Sequence, residues 1–157
     1  MPRVDRWWNK RREIHGAKVF ARKGAYLQVV ERLQHGDVVA ILCDQNVKAN
    51  HATFVDFCGL PAATTKSVGL AALRTGARVV ATASRRLPNG TFEIFTDELP
   101  SPDTFPGTAE EQVQAFSARL NQAIEKYIRM HPEQWFWIHR RWKTRPPGEA
   151  EDIYVNI

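Results

Sequence analysis

The sequence predicts an α/β fold: a mainly parallel sheet flanked by helices, with one hairpin-linked edge. Three observations carry that expectation. Val38, Val39, Ala40, Ile41, Leu42 and Cys43 form an unbroken apolar run, the pattern of a central strand buried on both faces. Strand-like runs alternate with stretches of helical periodicity, as a layered α/β domain requires. Pro88-Asn89-Gly90 separates two strand-like runs and reads as a hairpin turn.

The elements follow in order. Val4 to Ile14 reads as a helix with Trp7, Trp8 and Ile14 apolar among basic residues, closed by Gly16. Lys18 to Phe20 reads as a short strand. Tyr26 to Gln34 places Leu27, Val30 and Leu33 on one helical face and ends at His35-Gly36, a basic group and then a glycine cap. The apolar run then stops abruptly at Asp44-Gln45-Asn46. Polar side chains at the C-terminal end of a buried strand lie where α/β sheets bind ligands.

Val47 to Thr65 is expected to be a packed loop, part of a site wall. Thr64 or Thr65 caps a helix running through Val68, Leu70, Ala71 and Leu73 to Gly76. Arg78 to Ser84 reads as a second buried strand, and Thr91 to Thr96 as its hairpin partner. A Pro-rich loop spans Leu99 to Gly107. Thr108 and Glu111 have the spacing of a capping box, and Val113, Phe116, Leu120, Ile124, Tyr127 and Ile128 trace one apolar stripe behind it. Pro132 ends that helix and opens a short one through Gln134, Trp135 and Trp137. Residues 1–148 are expected to form one domain, with 149–157 as a tail.

A chain of 157 residues with 43% hydrophobic and 25% charged residues has a globular composition and can bury a core. No apolar run approaches the roughly 20 residues a membrane-spanning helix needs, and the opening residues have no signal-peptide pattern. Cys43 and Cys58 are expected to be reduced packing residues on a cytosolic side. The net charge of +5 is uneven. Arg3, Arg6, Lys10, Arg11, Arg12, Lys18, Arg22 and Lys23 crowd the start, and Arg140, Arg141, Lys143 and Arg145 the end, whereas Asp97 to Glu111 is acidic. Such clusters imply an anionic partner.

Pro132 to Pro146, P-E-Q-W-F-W-I-H-R-R-W-K-T-R-P, interleaves three tryptophans with four fixed positive charges, which suits an anionic amphiphile. Taken with D-Q-N at Asp44 to Asn46, F-V-D-F-C-G-L-P-A-A-T-T at Phe54 to Thr65 and L-R-T-G-A at Leu73 to Ala77, this stretch resembles the bacterial lipid A late acyltransferase family, the lauroyl/myristoyl transferases of lipopolysaccharide assembly. The resemblance runs from about Arg3 to Gly148 and matches the C-terminal half of such an enzyme, hence a partial acyltransferase domain.

The resemblance implies transfer of a fatty acyl chain from acyl carrier protein to a hydroxyl of a phosphorylated glycolipid, at the cytoplasmic face of the bacterial inner membrane. No cofactor or metal is expected. The family's catalytic element is a His with an acidic residue five positions later, upstream of the matched region. The imidazole takes the acceptor hydroxyl's proton and the carboxylate orients the ring. This chain is expected to start after that element and after the family's membrane anchor, and so to be inactive alone. His51 and Asp56 have the spacing but follow D-Q-N, so a coincidence is expected; His15 and His35 lack the acid.

Arg12, with Arg11 as the alternative, matches the family's basic substrate-binding residue. Asp44 matches its motif aspartate, positioning Arg12 or a sugar hydroxyl, with Gln45 beside it. Arg140, Arg141, Lys143 and Arg145 are expected to meet lipid phosphate or the acidic carrier protein. Trp135, Trp137 and Trp142 are expected to pack, and His131 and His139 to be structural. Cys58 stands where the family usually has an aromatic residue. The rival reading is a non-catalytic module for anionic lipid. Nucleic acid is not expected, because no recognised RNA- or DNA-binding motif appears. An absent N-terminal half would expose a sheet edge, so self-association is a further expectation.

Overall fold

The computed structural model describes residues 2–20, 24–149 and 153–154, without the side chains of residues 2 and 3. Arg22, Lys23, most of the tail and the Arg3 side chain therefore lie outside the described residues. The chain divides into two compact units, residues 1–39 and 40–157.

The first unit contains α1 (Pro2–Glu13) and α2 (Ala25–Gln34). On α1 the guanidinium of Arg11 lies over Trp7, 5.3 Å from the ring centre, and that of Arg12 over Trp8 at 5.9 Å. Both pairs are four residues apart, the spacing at which helical side chains meet. Helix α2 buries Val29 and Val30. It closes as expected through His35 and Gly36: Gly36 N–H donates to Leu33 O and Asp37 N–H to Arg32 O. This Schellman arrangement requires the left-handed φ of 83° at Gly36.

The second unit contains two antiparallel hairpins and two helices. Strands β1 (Ala52–Phe57) and β2 (Leu60–Thr65) pair with Phe57 opposite Leu60. Cys58 and Gly59 link them, with φ of 55° and 86°. Two left-handed residues in succession are what a two-residue type I′ turn demands. Cys58 N–H donates to Glu125 Oε1 at 2.8 Å, and Gly59 N–H to Asp56 Oδ2 at 3.2 Å. Helix α3 (Ser67–Thr75) follows and ends at Gly76. Strands β3 (Val79–Arg86) and β4 (Phe92–Leu99) pair from Val79 opposite Leu99 to Arg86 opposite Phe92. Helix α4 (Ala109–Met130) starts on the expected Thr108–Glu111 capping box.

The core lies where α4 crosses the hairpins. Ala81 and Leu99 pack with Phe116, Leu120 and Ala123, with half-buried Cys43 against them. Phe57, Ala62 and Ile128 form a second cluster, joined by Trp135 and Trp142. Gly69 lets α3 approach α4 closely: a Cβ there would stand 3.1 Å from Phe116 Cδ1.

Several expectations are corrected. The sheets are antiparallel hairpins, not a mainly parallel sheet. The α/β class stands, but a parallel sheet needs crossover-connected neighbours, and these strands instead pair with the next strand along the chain. Val38–Cys43 is not a strand, and Val38 and Leu42 are 98% and 81% exposed. Lys18–Phe20 is not a strand either. The supposed loop 47–65 holds the β1–β2 hairpin. Strand β3 is not buried on both faces but alternates, with Val80, Thr82, Ser84 and Arg86 exposed. Lys66 occupies the α3 cap position; Thr65 still accepts from Ser67 N–H, at 3.3 Å, but Thr64 points into the core. Pro132 opens only a single 3-10 turn, Pro132–Gln134.

Candidate functional site

The two segments singled out for function, 44–46 and 132–146, are joined by hydrogen bonds across more than ninety residues of chain. Asn46 makes three of them. Its backbone N–H donates to His139 Nε2 at 2.7 Å, and its Nδ2 donates to Thr144 Oγ1 at 3.0 Å. Its Oδ1 accepts from Thr144 N–H at 3.1 Å. Asp44 Oδ2 accepts a longer bond, 3.4 Å, from the indole Nε1 of Trp135. Gln45, between them, is exposed. Replacing Asn46 with alanine removes both side-chain bonds and leaves Thr144 short of partners. We expect a loss of about 1–3 kcal/mol in urea unfolding followed by tryptophan fluorescence. A change below about 0.5 kcal/mol would mean that other contacts hold the two segments together.

Beneath this junction lies an aromatic cluster. Phe57, fully buried, has ring centres of Trp135 at 5.7 Å and Trp142 at 5.8 Å. Trp135 meets Trp137 edge to face at 4.6 Å. Each indole N–H has an acceptor: Trp142 Nε1 donates to Phe57 O and Trp137 Nε1 to Pro132 O. Trp135 and Trp142 are thus packing residues, as expected, whereas Trp137 is 55% exposed.

Arg141 is the largest fully buried side chain in the described chain. Its Nη1 donates to Ala63 O at 2.8 Å and its Nη2 to Thr64 Oγ1 at 2.7 Å. Its guanidinium carbon sits 4.7 Å from the centre of the Phe57 ring. Asn121 on α4 completes the network, donating to Asp56 O at 2.8 Å and Thr64 Oγ1 at 3.1 Å. Burial pulls the Arg141 pKa down to about 10, while neighbouring Asp44 opposes the fall, so the group stays cationic at neutral pH. Burial, and then Asp44, push the Cys43 thiol up to about 11, so it remains protonated there.

The basic residues of this segment therefore divide. Arg140 and Lys143 are exposed, with the Arg140 guanidinium also over the Tyr154 ring at 5.6 Å. Arg141 is not an outward contact: with no exposed surface it fastens the 135–145 segment to β2. The side chain of Arg145 is 6% exposed; Nη1 donates to Pro61 O at 2.6 Å and Nη2 pairs with Glu149. Arg12 lies exposed on α1 in the first unit.

His51 and Asp56 do not form a dyad. Strand β1 runs between them, and five residues of extended chain separate their Cα atoms by about 16 Å. Asp56 instead caps the Cys58-Gly59 turn. Both His131 and His139 are held in the fold by hydrogen bonds. His139 accepts from Asn46 N–H, and His131 Nε2 accepts from Arg85 Nη1 at 2.9 Å, because a guanidinium has no lone pair to offer.

An open cleft of about 710 Å³ lies elsewhere, lined by Arg85, Arg86, Leu87, Pro88, His131, Glu133 and Gln134. Of the motif stretches only Glu133 and Gln134 reach it; Asp44, Gln45, Asn46 and the cations of residues 140–145 do not. Of its two arginines Arg85 is paired with Glu93, and Gln134 occupies the backbone N–H and C=O of exposed Arg86. Among the described residues no three His, Cys, Asp or Glu side chains converge to hold a metal, and no helix is long and apolar enough to cross a membrane.

Sequence reasoning gave no site role to Asn121 or Thr144 and read Thr64 only as a helix cap. Asn121 carried a readable signal. It falls on the apolar face of α4 between Ser117 and Ile124, where a polar side chain needs a buried partner.

This is a mixed α/β unit whose aspartate-bearing segment is pinned to a basic, tryptophan-rich one. The family model for bacterial lipid A biosynthesis acyltransferases matches residues 1–144. The chain is 30% identical over 151 residues to the lipid A biosynthesis palmitoleoyltransferase of Escherichia coli K12, covering 95% of this chain and 47% of that protein. To the lauroyltransferase of the same organism it is 35% identical over 122 residues, covering 76% and 38%. To its myristoyltransferase it is 28% identical over 150 residues, covering 96% and 45%. The chain belongs to the bacterial lipid A biosynthesis acyltransferase family. It spans about half the length of the curated relatives it matches.

Proposed function

We propose that this chain supplies the acceptor-holding part of a lipid A acyltransferase, an assembly that moves a fatty acyl group from acyl carrier protein to a hydroxyl of a phosphorylated glycolipid at the cytoplasmic face of the inner membrane. The observation that supports this reading most is the joining of Asp44-Gln45-Asn46 to the basic-aromatic segment. A carboxylate and an exposed amide stand on one side of the junction, and exposed cations with an exposed indole on the other. A phosphorylated, acylated sugar presents hydroxyls, phosphates and apolar chains to match.

In this reading Asp44, whose carboxylate takes one long bond, from Trp135, among the described residues, accepts from a sugar hydroxyl, with Gln45 beside it. Arg140 and Lys143 meet phosphate; Arg12, on α1, is assigned a substrate-binding role from the family resemblance alone. Arg141 and Arg145 act as positioning residues, because their side chains are buried and their Nη atoms bond Ala63, Thr64, Pro61 and Glu149. In the transfer itself the acceptor oxygen attacks the thioester carbonyl, its proton passes to a base, and the carrier thiolate leaves. We assign that base to a His-x4-acid pair outside this chain, since strand β1 holds His51 and Asp56 apart. The same separation favours, as a second reading, a glycolipid-binding module without transfer activity.

Vesicle flotation tests the reading. The chain should bind phosphatidylcholine vesicles carrying a phosphorylated acylated disaccharide, and bind about tenfold more weakly when the sugar is dephosphorylated or when Arg140 and Lys143 are both changed to Glu. Equal binding to plain phosphatidylglycerol vesicles would replace it with a general anionic-lipid module. Preference for an oligonucleotide, lost steeply with salt, would overturn both.

A further inference from the structure

The run from Val38 to Leu42 is at odds with its surroundings. Its composition is that of a strand buried on both faces, yet Val38 is 98% exposed, Ile41 38% and Leu42 81%. It belongs to neither of the two ladders, and no backbone hydrogen bond joins residues 38–43 to another described segment. At its far end it is anchored: Cys43 packs against the core cluster containing Phe116 and Leu120, and Asp44 and Asn46 are tied to Trp135, His139 and Thr144. A largely β-branched, uncharged segment anchored at one end, with its backbone groups unused by any other described segment, is a template for strand addition.

We propose that Val38–Leu42 is completed as a β-strand by the half of a family-length acyltransferase that this chain does not match. The matched relatives supply the argument for that occupant: this chain covers 47%, 38% and 45% of three of them, so about as much polypeptide again accompanies this region in each. The added half contributes at least one strand whose backbone pairs with 38–42 and whose helices or neighbouring strands cover Val38 and Leu42. The outer face of the β3–β4 hairpin, where Val80, Phe92 and Ile94 are 51%, 64% and 66% exposed, gives the same partner a second apolar surface. Because the completed strand ends at Asp44, docking delivers the partner to the junction described above. The inference rests on family membership and stands apart from the glycolipid reading.

Hydrogen exchange reads strand formation directly. The full 157-residue chain is compared alone and joined to the portion of the Escherichia coli K12 palmitoleoyltransferase that lies outside its matched segment. Amides of 38–42 should exchange freely in the chain alone and at least about a hundredfold more slowly in the joined protein. Leu42→Asp should leave the melting temperature of the chain alone unchanged, since the side chain is already in water, and should abolish the protection in the joined protein. Three outcomes would overturn the proposal: equal exchange in both proteins, protection already present in the chain alone at low concentration, or protection there that grows with concentration, which would assign the strand to a second copy. None of these readouts depends on glycolipid binding or acyl transfer.

Discussion

Arg141→Ala is expected to destabilise the second unit by about 3–5 kcal/mol, from buried acceptors left without a donor together with the space the side chain vacates. The variant loses the 2.8 Å bond to Ala63 O and the 2.7 Å bond to Thr64 Oγ1, leaving each of these buried acceptors one donor short. It also empties the space over the Phe57 ring. For a unit of this size the melting temperature should fall by 10 °C or more, as a rough figure. Arg141→Lys recovers only part of the loss, because a single ammonium cannot reach both acceptors in the fork geometry of a guanidinium. Lys143→Ala, at an exposed position two residues on, is the control and should stay within about 0.5 kcal/mol of the parent. An Arg141→Ala change as small as that of Lys143→Ala would place Arg141 on the surface, where the sequence alone had put it.

Phe57→Ala is expected to cost a similar amount, about 3–5 kcal/mol, through the cavity it leaves. Phe57 is fully buried and is the ring on which Trp135, Trp142 and Arg141 all converge. Its loss should also red-shift the tryptophan emission, as water reaches the two indoles. Because Phe57 and Arg141 touch, the double variant should be less destabilised than the sum of the singles, by about 0.5–3 kcal/mol. Strict additivity in thermal or urea unfolding would mean the cation and the ring do not share an environment.

Local signals were legible in the sequence; partnership was not. The α4 helix declared itself through Thr108, Glu111 and the Val113–Ile128 stripe, and the β3–β4 turn through Pro88-Asn89-Gly90. Both are decided within a few residues of chain. The β1–β2 hairpin escaped notice because its turn is Cys58-Gly59. Cysteine seldom takes a left-handed φ, and no Asn or Asp marked the position. The run at Val38–Cys43 was read as a central strand from composition, but a strand needs a neighbour, and composition does not say whether one is present. Arg141 was counted with Arg140, Lys143 and Arg145 as one cationic patch. A charge count does not distinguish a guanidinium facing water from one bonded to Ala63 and Thr64, although Asn121 on the apolar face of α4 hinted that a polar partner lay inside. The joining of Asn46 to Thr144 is a tertiary fact with no local signature at all.

The central claim is that phosphorylated glycolipid is held at the junction of residues 44–46 with residues 135–145. Photocrosslinking with a phosphorylated acylated disaccharide bearing a diazirine near the sugar, read by peptide mass spectrometry, tests it most directly. The account predicts adducts on peptides spanning Asp44–Asn46 and Trp135–Arg145, reduced when Asp44 is changed to Ala. Adducts confined to the cleft around Arg85, Arg86 and Glu133, and unchanged by Asp44→Ala, would contradict it.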